Sequence, residues 1–150
     1  MKHGIAGRLG FTLSVASITF LTSCDLPRDP HDSWKEAHEI GLQVGVVIDT
    51  PFVVQQNGGW AGEEIALIQR FAADHGLQIH FHERSESEIV RQLERSELHL
   101  AAGGFHKDTE WKKKVGATRP FPPTDHVLLV AAGENHTLVK LEEWLLKNTE

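Results

Sequence analysis

Hydrophobic and polar positions change period several times along this chain, and each period predicts an element. From Leu42, LQVGVVI is rich in β-branched residues and apolar on both faces, as a strand buried on both sides should be. DTPFVVQQNGGW then reads as a loop, with a proline and the Asn57-Gly58-Gly59 turn signal. GEEIALIQRFAADHG takes up a helical period: Ile65, Ile68 and Ala72, with Leu67 and Phe71, form one apolar face, and Gly76 stops it. LQIHFHE alternates, which predicts a strand with one polar face, at a sheet edge. SESEIVRQLERSE opens with a capping box, Ser85 to Glu88, and turns Ile89 and Leu93 inward. LHLAAGGF is a short strand, DTEWKKKVG a short helix capped by Asp108 with lysines in its last turn, DHVLLVAAG a strand and NHTLVKLEEWLLKN an amphipathic helix. The order β-α-β-α-β-α-β-α predicts an α/β fold, a parallel-type sheet covered by helices.

Upstream of Leu42 the pattern is different. Lys2, His3 and Arg8 precede an uncharged, mostly apolar stretch from Gly10 to Leu21, the length of a secretory signal and short for a membrane span. It runs into Leu21-Thr22-Ser23-Cys24, which resembles a bacterial lipobox, and Cys24 is the one cysteine of the chain. The expected organisation is a lipoprotein signal peptide over 1–23, a tether over 24–41 and a folded domain over 42–150, with lipid on Cys24. An uncleaved anchor or soluble export is the alternative. Pro27, Pro30 and charged residues dominate the tether, where Ser33 to Glu36 has the spacing of a capped helical turn. Asp25 after the cysteine resembles the signal that holds lipoproteins at the inner membrane of enteric bacteria, which places the protein on that membrane's periplasmic face.

Composition narrows the classes. At 150 residues, 40% hydrophobic and 24% charged, the chain supports one globular domain. Its formal charge is −6, and −8 without residues 1–23, which hold Lys2 and Arg8 and no acid. That balance argues against nucleic acid as a partner. With Cys24 acylated no disulfide can form, so stability rests on the core.

Little in the sequence points to catalysis. No nucleophile motif, phosphate loop or HExxH is present, and no cofactor is implied. His80 and His82 fall on the same side of one strand, but no third ligand stands at a recognised spacing, so no metal is expected. The better candidate is the end of the strand at AAGGFHKDTEW. In parallel sheets ligands bind beyond the carboxyl ends of the strands, and Gly103 and Gly104 there would offer backbone N–H donors. The competing reading is a plain strand-to-helix turn.

Two segments carry a resemblance. GEEIALIQRFAADHGLQIHF resembles the GFDxDLAKAIAKxLGxxVEF pattern of periplasmic amino-acid-type solute-binding proteins, family 3, which deliver ligands to ABC transporters. LERSELHLAAGGFHKDTEWKKKVGATRPF is similar to their LxxGxxDLxxxGxTxTxERxxxVxFSxPY. The resemblance implies one lobe of a type II periplasmic binding protein, where members have two. HVLLVAAGENHTLVKLEEWL reads either as the approach to an interlobe crossover or as the closing strand and helix; its amphipathic, polar-ended helix favours a complete single lobe.

Several positions depart from the pattern. Trp111 stands where the family's arginine grips an α-carboxylate, and an indole makes no bidentate pair. His99 replaces an aspartate, Ala66 replaces a helix acid, and Glu64 retains another. His106 falls where a ligand-binding hydroxyl is common. The expected ligand site is Asp49, Thr50, Phe52, Trp60, Gly103, Gly104, Phe105, His106, Trp111 and Arg119. Its aromatics would stack on a planar or cationic solute or meet another protein, or else simply pack in the core. Arg119 is either an anion contact or a surface arginine. The chain thus reads as a lipid-anchored, extracytoplasmic, non-enzymatic lobe that captures a small solute, weakly on its own, for an ABC permease or a sensor. The alternative is a lobe docking a membrane or cell-wall protein, and a homodimer would also cover the open site.

Overall fold

The structure is a computed structural model and describes residues 31–149. The expected signal peptide and Cys24 lie outside the described residues.

A five-stranded sheet runs in the order β4-β1-β5-β7-β6. Its central strand β1 (Leu42–Val46) is parallel to β4 (Ile79–Glu83) on one side and to β5 (Leu100–Ala102) on the other. The expected buried first strand and polar edge strand are therefore both present. β7 (Leu129–Val130) pairs with β5 in the antiparallel sense, and β6 (Gly116–Ala117) is antiparallel to β7. The expected parallel-type sheet is thus present around β1, while its last strand in the chain, β7, runs antiparallel rather than parallel. A parallel crossover needs a dozen or more residues with a covering helix. Between β5 and β7 lies β6, and the helical structure there is a single 3-10 turn, Glu110–Lys113, preceded by Thr109 rather than capped by Asp108. The segment DTPFVVQQNGGW is more than loop, because β2 (Val54–Gln56) and β3 (Gly59–Ala61) close a small hairpin on its Asn57-Gly58 turn.

Strand alternation sends side chains to two cores. Leu42, Val44, Val46, Leu100, Ala102, Leu128 and Val130 meet α2 (Glu63–Asp74) and α4 (Asn135–Asn148) on one face. Ala101, Val127, Leu129 and Ala131 meet α3 (Glu86–Glu94) on the other, through Ile89, Val90 and Leu93. Gly45 also faces α3. A Cβ there would stand 2.8 Å from Leu98 Cδ1 and 3.0 Å from Ile89 Cγ1, so the glycine lets α3 approach the sheet closely. The capping box of α3 forms as expected: Ser85 Oγ accepts from Glu88 N, and Ser85 N donates to Glu88 Oε2.

The stretch read as tether is helical from residue 33. α1 (Ser33–Ile40) buries Ser33 and Ala37, and Trp34 packs on Phe71 and His75. Asp32 gives this helix no side-chain cap. Instead Glu134, 1% exposed, accepts from Ser33 N at 3.1 Å and His31 N at 3.3 Å, and Ser33 Oγ meets Thr137 Oγ1 at 2.7 Å. A carboxylate from the start of α4 thus does the capping across about a hundred residues of chain.

Candidate functional site

β1 and β5 end side by side, and the chain beyond each lies at the carboxyl edge of the sheet. Because β7 runs the opposite way, the residues just before it come to this same edge. Lys107 N donates to Asp125 O, and Val127 N donates to Phe105 O. His106 and His126 face each other between those two bonds as an antiparallel pair.

Glu64, in the first turn of α2, is fully buried at the centre of this edge. Its Oε2 accepts from Gly103 N at 2.9 Å and Gly104 N at 3.2 Å, while Oε1 is 2.8 Å from His126 Nδ1. The N–H donors expected for a ligand are thereby taken by the protein's own carboxylate. The glycines have a steric reason as well. Gly104 has φ of +65°, and a Cβ on it would lie 1.9 Å from Asp49 Oδ2; one on Gly103 would lie 2.7 Å from Val47 Cβ. The glycines make a tight turn, and that turn forms the floor of a depression.

The other expected site residues divide. Asp49 and Val53 pair through their backbones, which sets the Asp49 side chain over Gly104. Phe52 places its ring 4.4 Å from that of His126, edge to face. His106 is exposed, with Nδ1 2.9 Å from Asp125 Oδ1, a contact that holds the Asp125 carboxyl below the usual carboxylate range. Thr50 is exposed beside them.

Phe105 is only 4% exposed and belongs to the core under α3, so it is not part of an aromatic rim. Strand alternation puts it on the buried side and its neighbour His106 on the open side. Trp60 sits on β3 against Phe81 of β4, away from the glycines. Trp111 is half-buried against the α3 core and donates Nε1–H to Glu86 Oε2 at 3.0 Å. Lys114 holds its ammonium 5.9 Å from that indole, so the cation–π contact expected of a solute is made by the chain itself. Arg119 follows β6 at the far side of the sheet, where its backbone N–H donates to Glu142 Oε1. It lines no cavity at the glycines.

What remains open is a depression of about 290 Å³ lined by Glu86, Gly103, Gly104, Phe105, His106, Asp108 and Thr109. Its lining holds two carboxylates and neither lysine nor arginine. Glu86 is oriented by the Trp111 indole. The lining suits the ammonium or guanidinium group of a small solute and offers a carboxylate neither lysine nor arginine. Sequence reasoning missed Glu86, Asp108, Asp125 and His126. The first two read as helix-start acids, and the last two were expected in a parallel strand, whose start would lie at the opposite end of the sheet.

Two histidines away from the depression make contacts that hold the fold. His99 is fully buried; its Nδ1 accepts from Gln43 N at 3.0 Å and its Nε2 lies 3.5 Å from Glu36 Oε2 on α1. His82 donates Nε2–H to Gln43 Oε1 at 2.8 Å, and burial lowers its pKa. Among the described residues no helix is long and apolar enough to cross a membrane.

These features are a lobe of mixed sheet with its depression at the strand ends, the place where such sheets bind ligands. Residues 42–149 match the family of bacterial extracellular solute-binding proteins, family 3, and the chain belongs to that family. Its fold is similar to the arginine-bound form of domain 1 from TmArgBP of T. maritima, with a TM-score of 0.63 at 20% identity over 71% of this chain and 91% of that one. It is likewise similar to the substrate-binding protein of an amino acid ABC transporter, with a TM-score of 0.59 at 11% identity over 71% and 92% of the two chains. An ancestral cationic amino acid solute-binding protein aligns at 28% identity and a TM-score of 0.52 over 57% of this chain and 39% of that one. No curated protein sequence matches the chain.

Proposed function

We propose that this protein captures a small cationic solute outside the cytoplasm, held to the membrane by lipid on Cys24, and presents it to an ABC permease or a sensor. The observation that carries the reading is the acidic depression at the strand ends, with Glu86 and Asp108 in its lining and neither lysine nor arginine beside them. The arginine-bound state of the T. maritima domain and the cationic ligand class of the ancestral relative favour the same solute chemistry. The loss of the family's carboxylate-gripping arginine at Trp111 fits it too, because the cationic end of the solute becomes the one recognised. Placement at the periplasmic face of the inner membrane follows from the signal-like start and Asp25. Docking of another protein through an aromatic rim has less to stand on, since Phe105 is buried and Trp60 and Trp111 are dispersed.

The test is a thermal-shift and calorimetric comparison of L-arginine, L-lysine, L-leucine and L-glutamate on the untagged chain. Ligand stabilisation grows with the logarithm of concentration above Kd. Arginine or lysine well above the millimolar range, at ionic strength matched with NaCl, should raise Tm while leucine and glutamate should not, and Glu86→Gln and Asp108→Asn should each diminish the shift. Equal shifts from all four amino acids, or none from the two cations, would reject this reading.

A further inference from the structure

We propose that His106, Asp125 and His126 form a binding site for a divalent transition cation, with Zn²⁺ the best match to the ligand types. The site stands on its own geometry and does not rest on the solute reading above.

Backbone register builds it. His106 and His126 occupy a non-hydrogen-bonded antiparallel pair, flanked by the Lys107 N to Asp125 O bond of 2.9 Å and the Val127 N to Phe105 O bond of 2.7 Å. In that kind of pair opposing side chains approach most closely and share a face. The two imidazoles are accordingly 4.9 Å apart and nearly perpendicular, at 80°. Asp125 adds an oxygen, and one ligand atom from each of the three residues lies within 4.8 Å of the others. Bonds of about 2.0–2.1 Å at tetrahedral angles put neighbouring ligand atoms about 3.3 Å apart. The remaining closure falls to the exposed side chains of His106 and Asp125, which are free to rotate.

A buried group supports the arrangement. His126 is 5% exposed, and its Nδ1 lies 2.8 Å from Oε1 of the fully buried Glu64, whose other oxygen is fixed by Gly103 N and Gly104 N. A carboxylate accepts, so His126 Nδ1 carries the proton and Nε2 keeps its lone pair for a metal. This is the carboxylate–histidine arrangement that orients metal-bound imidazoles and raises their basicity. Two imidazole nitrogens select zinc, nickel or copper over magnesium and calcium. Lys107 Nζ, 4.0 Å from Asp125 Oδ2, is exposed and yields to the cation. Three protein ligands leave a fourth position, and His106 also lines the depression, so that position is within reach of water or a solute there.

The experiment uses the untagged, chelator-dialysed chain. Titration with ZnCl₂ in competition with a chromophoric chelator should give one ion per chain, and Co²⁺ should show the visible absorption of a four-coordinate site. His106→Ala and Asp125→Asn, chosen because both side chains are exposed and leave the buried Glu64–His126 contact intact, should each weaken Zn²⁺ binding about tenfold or more. His80→Ala, on the far edge strand, should leave it unchanged. A wild-type chain that takes up no Zn²⁺, or His106→Ala and Asp125→Asn variants that bind as tightly as wild type, would overturn the site.

Discussion

His99 shows how a single residue trades one role for another. Where the family resemblance expects an aspartate at the foot of β5, an imidazole is buried between Gln43 N and Glu36 and ties α1 to the sheet. Burial disfavours the imidazolium and, against the smaller opposing pull of Glu36, lowers the pKa below the ordinary histidine value near 6.5. Between the folded value and the unfolded value near 6.5, the unfolded chain binds the extra proton. Stability is therefore full above about pH 6.5 and falls as pH drops toward the folded value, with a slope of up to about 1.4 kcal/mol per pH unit for this one group. His99→Gln keeps an acceptor for Gln43 N and removes the titration. Urea unfolding at pH 7.5, 6.5 and 5.5 should show a flatter acid slope for the variant than for wild type. Identical slopes would mean that His99 takes its proton without penalty.

Among the elements, α1 is the one whose place depends least on its own sequence. Eight residues are too few for a helix to persist alone in water, and Asp32 supplies no cap. Glu134 and Thr137, at the start of α4, hold its first turn. Glu134→Ala should cost about 1–2 kcal/mol, the worth of a lost cap with its charge at a helix N-terminus. Hydrogen exchange should then quicken in Ser33–Ile40 while β1 and β5 keep their protection. Unchanged protection in α1 would show that Trp34 and Ala37 anchor it unaided. The same dependence explains why sequence reading took this stretch for tether: its prolines and charges are local, and its cap is distant. Elements with their own periodicity, α2, α3, α4 and β1, were legible because the pattern that forms them also buries them. The direction of β7 was not, since a two-residue strand carries no sign of its sense, and with that direction went the positions of Asp125 and His126. That the glycine turn lies at the strand ends was legible, but not that Glu64 fills its donors.

At the scale of the whole molecule, an acidic chain draws cations toward an open face, and the openness sets the strength of what binds there. The formal charge of −6 favours cationic solutes over anionic ones at long range. The lysines near the depression each have a contact within the protein: Lys107 Nζ stands 4.0 Å from Asp125 Oδ2, Lys112 donates to Lys107 O, and Lys114 lies over Trp111. A solute ammonium about 4 Å from a carboxylate in water gains about 1 kcal/mol. Two such contacts, at Glu86 and Asp108, give about 2 kcal/mol, whereas a Kd of 1 mM needs about 4. Hydrogen bonds to the rim can close that gap but not widen it far, so the lobe by itself should bind arginine or lysine at millimolar Kd or weaker. Because both contacts stay in water they are screened, with a Debye length of about 30 Å at 0.01 M salt and about 8 Å at 0.15 M. Calorimetry of arginine binding at those two ionic strengths should show affinity falling several-fold. An affinity indifferent to salt, or one in the micromolar range, would mean that the solute is enclosed rather than resting on an open acidic surface, and that something other than Glu86 and Asp108 holds it.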